Sequence, residues 1–174
     1  MKSLYLVLML FIATNCLGQV DRKVSAFLSL QANKTIYDRT RTNNSAGIGL
    51  GLQVQVNSGT QVKPVIELNG DLFGGTKELY IDDSGAPVDS KEDVVGVYAG
   101  PLLQASERLF FSATLGTSIY NSKAHFGIRP SIGIYPSKSK KWMAKASFTN
   151  IFQRDAISNQ GFGYLSLAVG IKLF

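Results

Sequence analysis

Residues 45–56, SAGIGLGLQVQV, place an apolar side chain at every second position from Ala46 (Ala46, Ile48, Leu50, Leu52, Val54, Val56), with only glycine and glutamine between. A period of two marks a strand with two unlike faces, because successive side chains leave the pleat on opposite sides. The pattern does not say which solvent meets which face. In a water-soluble sheet the aliphatic row is core. In a barrel through a membrane that row meets lipid, and the small polar row lines the interior.

The same period recurs along the chain, and no long segment carries a 3.6-residue period. Ala26, Leu28 and Leu30 share a face. Val62, Pro64, Ile66 and Leu68 alternate with Lys63, Val65, Glu67 and Asn69, and within 94–103 Val95, Val97 and Ala99 oppose Gly96, Tyr98 and Gly100. Leu109, Phe111, Ala113 and Leu115 lie opposite Phe110, Ser112, Thr114 and Gly116. Phe126, Ile128, Ile132 and Ile134 lie opposite Gly127, Arg129, Ser131 and Gly133. Trp142, Ala144, Ala146 and Phe148 follow, and Leu165, Leu167, Val169, Ile171 and Leu173 complete the set. These are about eight strands of membrane-crossing length.

The connections alternate in length. Residues 33–44, 75–92 and 153–161 are long, whereas 57–60, 104–108 and 136–140 are tight; 120–124 is a short member of the long series. With the N-terminus on the periplasmic side, the tight turns fall on that side and the longer loops outside, as in outer-membrane barrels.

Charge placement selects between the two readings of the opening pattern. Lys63, Glu67, Arg129 and Lys145 all fall on the Gly/Ser/Thr face. A Lys or Arg facing lipid at mid-membrane costs about 2–4 kcal/mol. Glycine is concentrated on that same face (Gly47, Gly49, Gly51, Gly96, Gly100, Gly116, Gly127, Gly133, Gly170). A solvated exterior has no use for it, but the crowded interior of an eight-stranded barrel does. The expectation is a side-chain-filled lumen with a charge cluster of Lys63, Glu67, Arg129 and Lys145. Aromatic girdles are expected from Trp142 and Tyr135, with Phe110 and Phe111, at the turn end, and from Phe126 and Phe148, with Phe152, at the loop end. Pro130 falls mid-strand and predicts a bulge or an unpaired carbonyl.

The opening MKSLYLVLMLFIATNCLGQ has a positive start at Lys2, an apolar run too short to span as a helix, and a small-residue exit. It predicts an export signal over 1–18 and a mature barrel domain over 19–174. Ala13-Thr14-Asn15 before Cys16 does not suit a lipid-attachment site, so the mature chain is expected to lack cysteine and thiol chemistry. The net charge of +6 comes from scattered bases, with one tight group at Lys138-Ser139-Lys140-Lys141, and no stripe or motif points to nucleic acid.

The exported N-terminus, the eight alternating segments and the ending Gly170-Ile171-Lys172-Leu173-Phe174 resemble the small outer-membrane β-barrel proteins of the OmpX type and the membrane domain of OmpA. The resemblance implies an all-β, eight-stranded, up-and-down transmembrane barrel in the cell outer membrane. Its implied partners are outer-membrane lipid and, during biogenesis, the barrel-assembly machinery. Phe174 resembles the terminal signal which that machinery reads, although it has the parity of Lys172 and not of Leu173.

No catalytic, cofactor or metal site is expected. The single histidine, His125, excludes multi-histidine metal sites and has no serine two residues on, so it reads as a rim residue. The glycines of 47–51 precede no helix and are not a phosphate loop. Residues 75–92 are acidic and residues 33–44 basic; the two loops could associate, or Asp82-Asp83-Ser84-Gly85 could take a divalent cation, although EF-hand spacing is absent. The leading expectation is a monomeric outer-membrane barrel with a structural or surface-interaction role through its loops. A soluble exported barrel binding a small apolar ligand, as lipocalins do, and a lipid-modifying outer-membrane enzyme are the alternatives.

Overall fold

The structure, a computed structural model, describes residues 24–36, 46–74, 80–81, 87–88, 92–120, 123–152 and 162–174. The strands are β1 (Val24–Thr35), β2 (Ala46–Val56), β3 (Val62–Gly74), β4 (Tyr80–Ile81), β5 (Pro87–Val88), β6 (Glu92–Gln104), β7 (Leu109–Tyr120), β8 (Lys123–Ile134), β9 (Trp142–Ile151) and β10 (Phe162–Lys172). Eight of them close into an antiparallel barrel in the order β1-β10-β9-β8-β7-β6-β3-β2, while β4 and β5 pair only with each other inside the second long connection. Closure leaves no free edge among the eight, so every strand has a hydrogen-bonding neighbour on both sides.

Burial follows the period of two with its usual sense reversed. Leu30, Ile48 and Leu167 are 70%, 69% and 68% exposed, whereas Arg129, Glu67 and Lys145 are 0%, 1% and 5% exposed. The aliphatic rows point outward all round the barrel, and the polar and small residues point in. Barrel strands of 10–13 residues are long enough to cross a hydrocarbon layer at a tilt. The expected eight-stranded barrel is therefore the observed one; the export segment 1–18 lies outside the described residues.

The interior is layered. At the turn end Phe27, Val65, Leu102, Phe110, Tyr135 and Met143 form one buried apolar cluster. At the loop end Phe73, Val94, Ile151, Phe162 and Tyr164 form another. Phe73 meets Phe162 and Tyr164 edge-on at centroid distances of 5.2 and 5.1 Å, a favoured aromatic geometry. Between the two clusters lies a polar belt.

Inward glycines make room for these large side chains. Tyr98 lies opposite Gly116, which lies opposite Gly127, and the ring crosses that row. A Cβ built on Gly116 would sit 1.9 Å from the Val97 carbonyl oxygen, and one on Gly127 would sit 3.1 Å from the Tyr98 hydroxyl. The Phe110 ring likewise covers Gly133, where an added Cβ would come within 2.2 Å.

One feature differs from expectation, and at Pro130 the second of the two expected forms occurs. β1 continues through Thr35 and β3 through Gly74, so Asn33 and Asp71 belong to the barrel wall and not to loops or strand ends. No bulge occurs at Pro130: β8–β9 pairing lapses at Arg129 and Pro130 and resumes at Ser131↔Ser147 in the register of Gly127↔Ile151. A second lapse falls at Gly100 and Pro101 on the β7 side, again without a shift. Pro64, opposite Pro101, and Pro130, opposite Ala113, all face outward. A proline contributes no donor, so the ladder opens locally while the alternation that fixes register is kept.

Candidate functional site

The polar belt is organised on one carboxylate. Glu67, from the middle of β3, receives Lys145 Nζ of β9 at 2.9 Å and Arg129 Nε of β8 at 3.2 Å, both on Oε2. Neither β8 nor β9 is a neighbour of β3, so these ion pairs cross the lumen. Arg129 spreads its remaining donors over Thr149 Oγ1 at 2.6 Å and Gln31 Oε1 at 2.7 Å, and Thr114 Oγ1 donates to its carbonyl at 3.0 Å. Lys145 also donates to Gln53 Oε1 at 2.9 Å. A planar guanidinium with fixed donors suits this many-walled position better than a point charge would.

Asp71 is the second buried anion, held toward the loop end. It accepts from Asn33 Nδ2 at 2.7 Å and from the Tyr164 hydroxyl at 2.8 Å. Gln31, which accepts from Arg129, also donates from Nε2 to Asn69 Oδ1 at 2.9 Å. Glu67 and Asp71 against Arg129 and Lys145 balance to zero. Charges removed from water must be compensated in this way, because an unpaired one would carry a large desolvation penalty.

The structure brings Glu67, Arg129 and Lys145 together but places Lys63 elsewhere. Lys63 is half-buried at the turn end, with Nζ 3.4 Å from Gln104 Oε1. It shares the inward parity of Glu67 but lies four residues away, about 13 Å along a strand. Asp71 is the member that sequence reasoning missed. The available signal was its parity, two and four residues beyond the inward Asn69 and Glu67.

Trp142 and Phe126 face outward, 49% and 54% exposed, and Phe148 is half-exposed on the same surface. Phe126 stacks on the outward Phe152 at 6.0 Å between centroids. Tyr135 is not part of a girdle. It is fully buried in the lumen, donates to Gln55 Oε1 at 3.1 Å, and packs on Phe27 and Phe110, which is also inside. The reason is parity: Tyr135 follows the outward Ile134 and Phe110 precedes the outward Phe111. The Phe174 carbonyl accepts from Ala26 N at 3.3 Å, which extends the β10–β1 contact to the end of the chain.

His125 lies directly opposite Ser118 in the β7–β8 register. Ser118 is 0% exposed and its hydroxyl is paired with that of Tyr98, so no substrate carbonyl can approach it. No group of three or more His, Cys, Asp or Glu suited to a metal occurs among the described residues. Asp82-Asp83-Ser84-Gly85 lies outside them. The belt is a buried layer of balanced charges, linked across the lumen by ion pairs and hydrogen bonds and flanked by aromatic residues at both ends.

No protein-family model matches the sequence, and no curated protein sequence matches it significantly. Solved structures do. The crystal structure of Ail, the attachment invasion locus protein of Yersinia pestis, superposes with a TM-score of 0.58 at 14% identity, covering 86% of this chain and 97% of that one. The structure of the same outer membrane protein in a phospholipid bilayer nanodisc gives 0.57 at 13% identity, covering 86% and 99%. A de novo designed transmembrane β-barrel gives 0.51 at 7% identity, covering 86% and 95%. The likeness is one of fold, and it agrees with the resemblance to small eight-stranded outer-membrane barrels.

Proposed function

We propose that the mature chain, from residue 19, is a monomeric integral protein of the cell outer membrane that presents its longer connections at the cell surface for structural or binding purposes. The observation that carries this reading is the reversed burial: side chains such as Leu30, Ile48 and Leu167 are the most exposed large apolar groups, while the ions are enclosed. In water such a surface would aggregate, whereas in lipid it is the required one. A soluble barrel for an apolar ligand would need the opposite arrangement, an apolar cavity inside a wet wall. Here the centre holds Glu67, Arg129 and Lys145.

Export through residues 1–18 and recognition of the Phe174 end by the barrel-assembly machinery complete the reading. The surface role draws support from Ail, whose structure is known in complex with the heparin analogue sucrose octasulfate. No enzymatic step is assigned. The decisive experiment is fractionation of the expressed protein. It should remain with the outer membrane through salt and alkaline carbonate, dissolve only in detergent, and migrate faster on gels when unheated. Release by carbonate alone would overturn the proposal.

A further inference from the structure

Among the described residues the turn end of the barrel is rich in cations. At the turn end the described residues include Lys63, Arg108, Lys138, Lys140, Lys141 and Lys172 against the single acidic side chain Glu107. At the loop end the described side chains include Lys34, Lys123 and Asp93. Among the described residues, cations therefore gather at the rim of the tight turns.

The rim cations form an arc joined by backbone bonds. Tyr135 N donates to the Arg108 carbonyl at 2.7 Å, which ties the β6–β7 turn to the β8–β9 turn. Lys172 N donates to the Lys141 carbonyl at 2.8 Å, which ties that turn to the end of β10. Lys140, at φ 52°, folds its ammonium back to 5.4 Å from the Tyr135 ring centroid. Arg108, Lys138 and Lys141 are exposed, and none makes an ion pair with a described residue. The arc runs beside outward apolar groups, with Trp142 following Lys141 and Leu173 following Lys172; these two are 49% and 45% exposed. A Trp at this position settles at a membrane–water boundary, and adjacent Lys and Arg stems can lie along apolar surface with their heads in the polar layer.

We propose that this rim binds anionic phospholipid headgroups of the membrane leaflet that faces the tight turns. The ligand chemistry is a phosphodiester carrying net negative charge. The cations are spread along an arc and do not converge on a pocket, which fits several lipids around the wall and not one soluble ligand. Each basic side chain at an anionic surface strengthens attraction on the order of fivefold, and salt screens the effect. The inference rests on the membrane-spanning reading.

The test uses the mature protein in phosphatidylcholine bilayers containing trace spin-labelled phosphatidylglycerol or spin-labelled phosphatidylcholine. The motionally restricted fraction of each measures its residence at the barrel wall. The expected result is a several-fold preference for phosphatidylglycerol that falls toward unity in high salt and in the triple variant Arg108→Gln/Lys138→Gln/Lys141→Gln. These positions are exposed and avoid the strained Lys140, so folding is retained, and a Lys138→Arg/Lys141→Arg variant should keep the preference. A ratio of one in the unsubstituted protein, or a preference that survives the triple substitution, overturns the proposal. Displacement by inorganic phosphate beyond that by chloride at equal ionic strength would assign the rim to free phosphate and reject the lipid. Absence of a restricted fraction for either label would instead reject the membrane-spanning reading itself.

Discussion

Arg129 Nε lies 3.2 Å from Glu67 Oε2, joining two walls of the barrel whose strands share no backbone hydrogen bond. Replacing Glu67 with Gln keeps the shape but leaves Arg129 and Lys145 facing each other without their common anion. Breaking a buried ion pair from one side costs about 3–5 kcal/mol. Urea unfolding in lipid vesicles, followed by loss of the fast-migrating unheated band, should show a lowered midpoint of that magnitude.

The triple variant Glu67→Leu/Arg129→Met/Lys145→Met should be less damaging than Glu67→Gln alone. Removing all three charges removes the desolvation penalty together with the attraction, and such apolar replacements are often neutral or better. A triple variant less stable than the single one would mean that the ionic layer contributes net stability.

Glycine positions give a pair of opposite expectations. Gly116→Ala would place a methyl 1.9 Å from the Val97 carbonyl oxygen, whereas a Cβ on Gly70 meets nothing within 4 Å. Overpacking typically costs about 1–3 kcal/mol, and here the obstacle is backbone that cannot turn aside. Gly116→Ala should lower folding yield into vesicles sharply, while Gly70→Ala should change stability by no more than about 0.5 kcal/mol.

On the outer wall, Leu167→Arg should cost about 2–4 kcal/mol and Val62→Arg, beside a tight turn, about 0–1 kcal/mol, because the penalty depends on depth in the bilayer. Equal effects at the two positions, measured by unfolding in vesicles, would contradict the membrane-spanning reading.

Planar-bilayer recordings should show no large, stable conductance. The lumen is filled along its length by Tyr135, Arg129, Tyr98 and Tyr164, each at most 1% exposed. Steady channel openings would mean that the belt does not stay closed.

The barrel was legible because parity alone decides which side chains share a face, and parity can be counted without coordinates. It holds for Ser112, Thr114, Arg129, Ser131 and Ser166, all buried as their parity requires. Nearness to a turn is a weaker guide: it suggests a girdle position for Tyr135, but the place of this residue after Ile134 turns it inward. Height is what parity cannot supply: Lys63 and Glu67 point the same way at different levels, so one meets Gln104 and the other Arg129. Asp71 escaped because Gly70 on the outer face and Phe73 on the inner one break the small-inside, apolar-outside habit of the earlier residues.

The pairing of Phe27 with Lys172, 145 positions apart (172 − 27), stitches the beginning of the wall to its end. No intermediate length of chain can complete the cylinder, since the first strand must wait for the final one to arrive. During that delay β1 carries a raw margin of unsatisfied amides which hydrocarbon would not tolerate. Closure of the circle is therefore tied to the arrival of β10, the last strand in the chain.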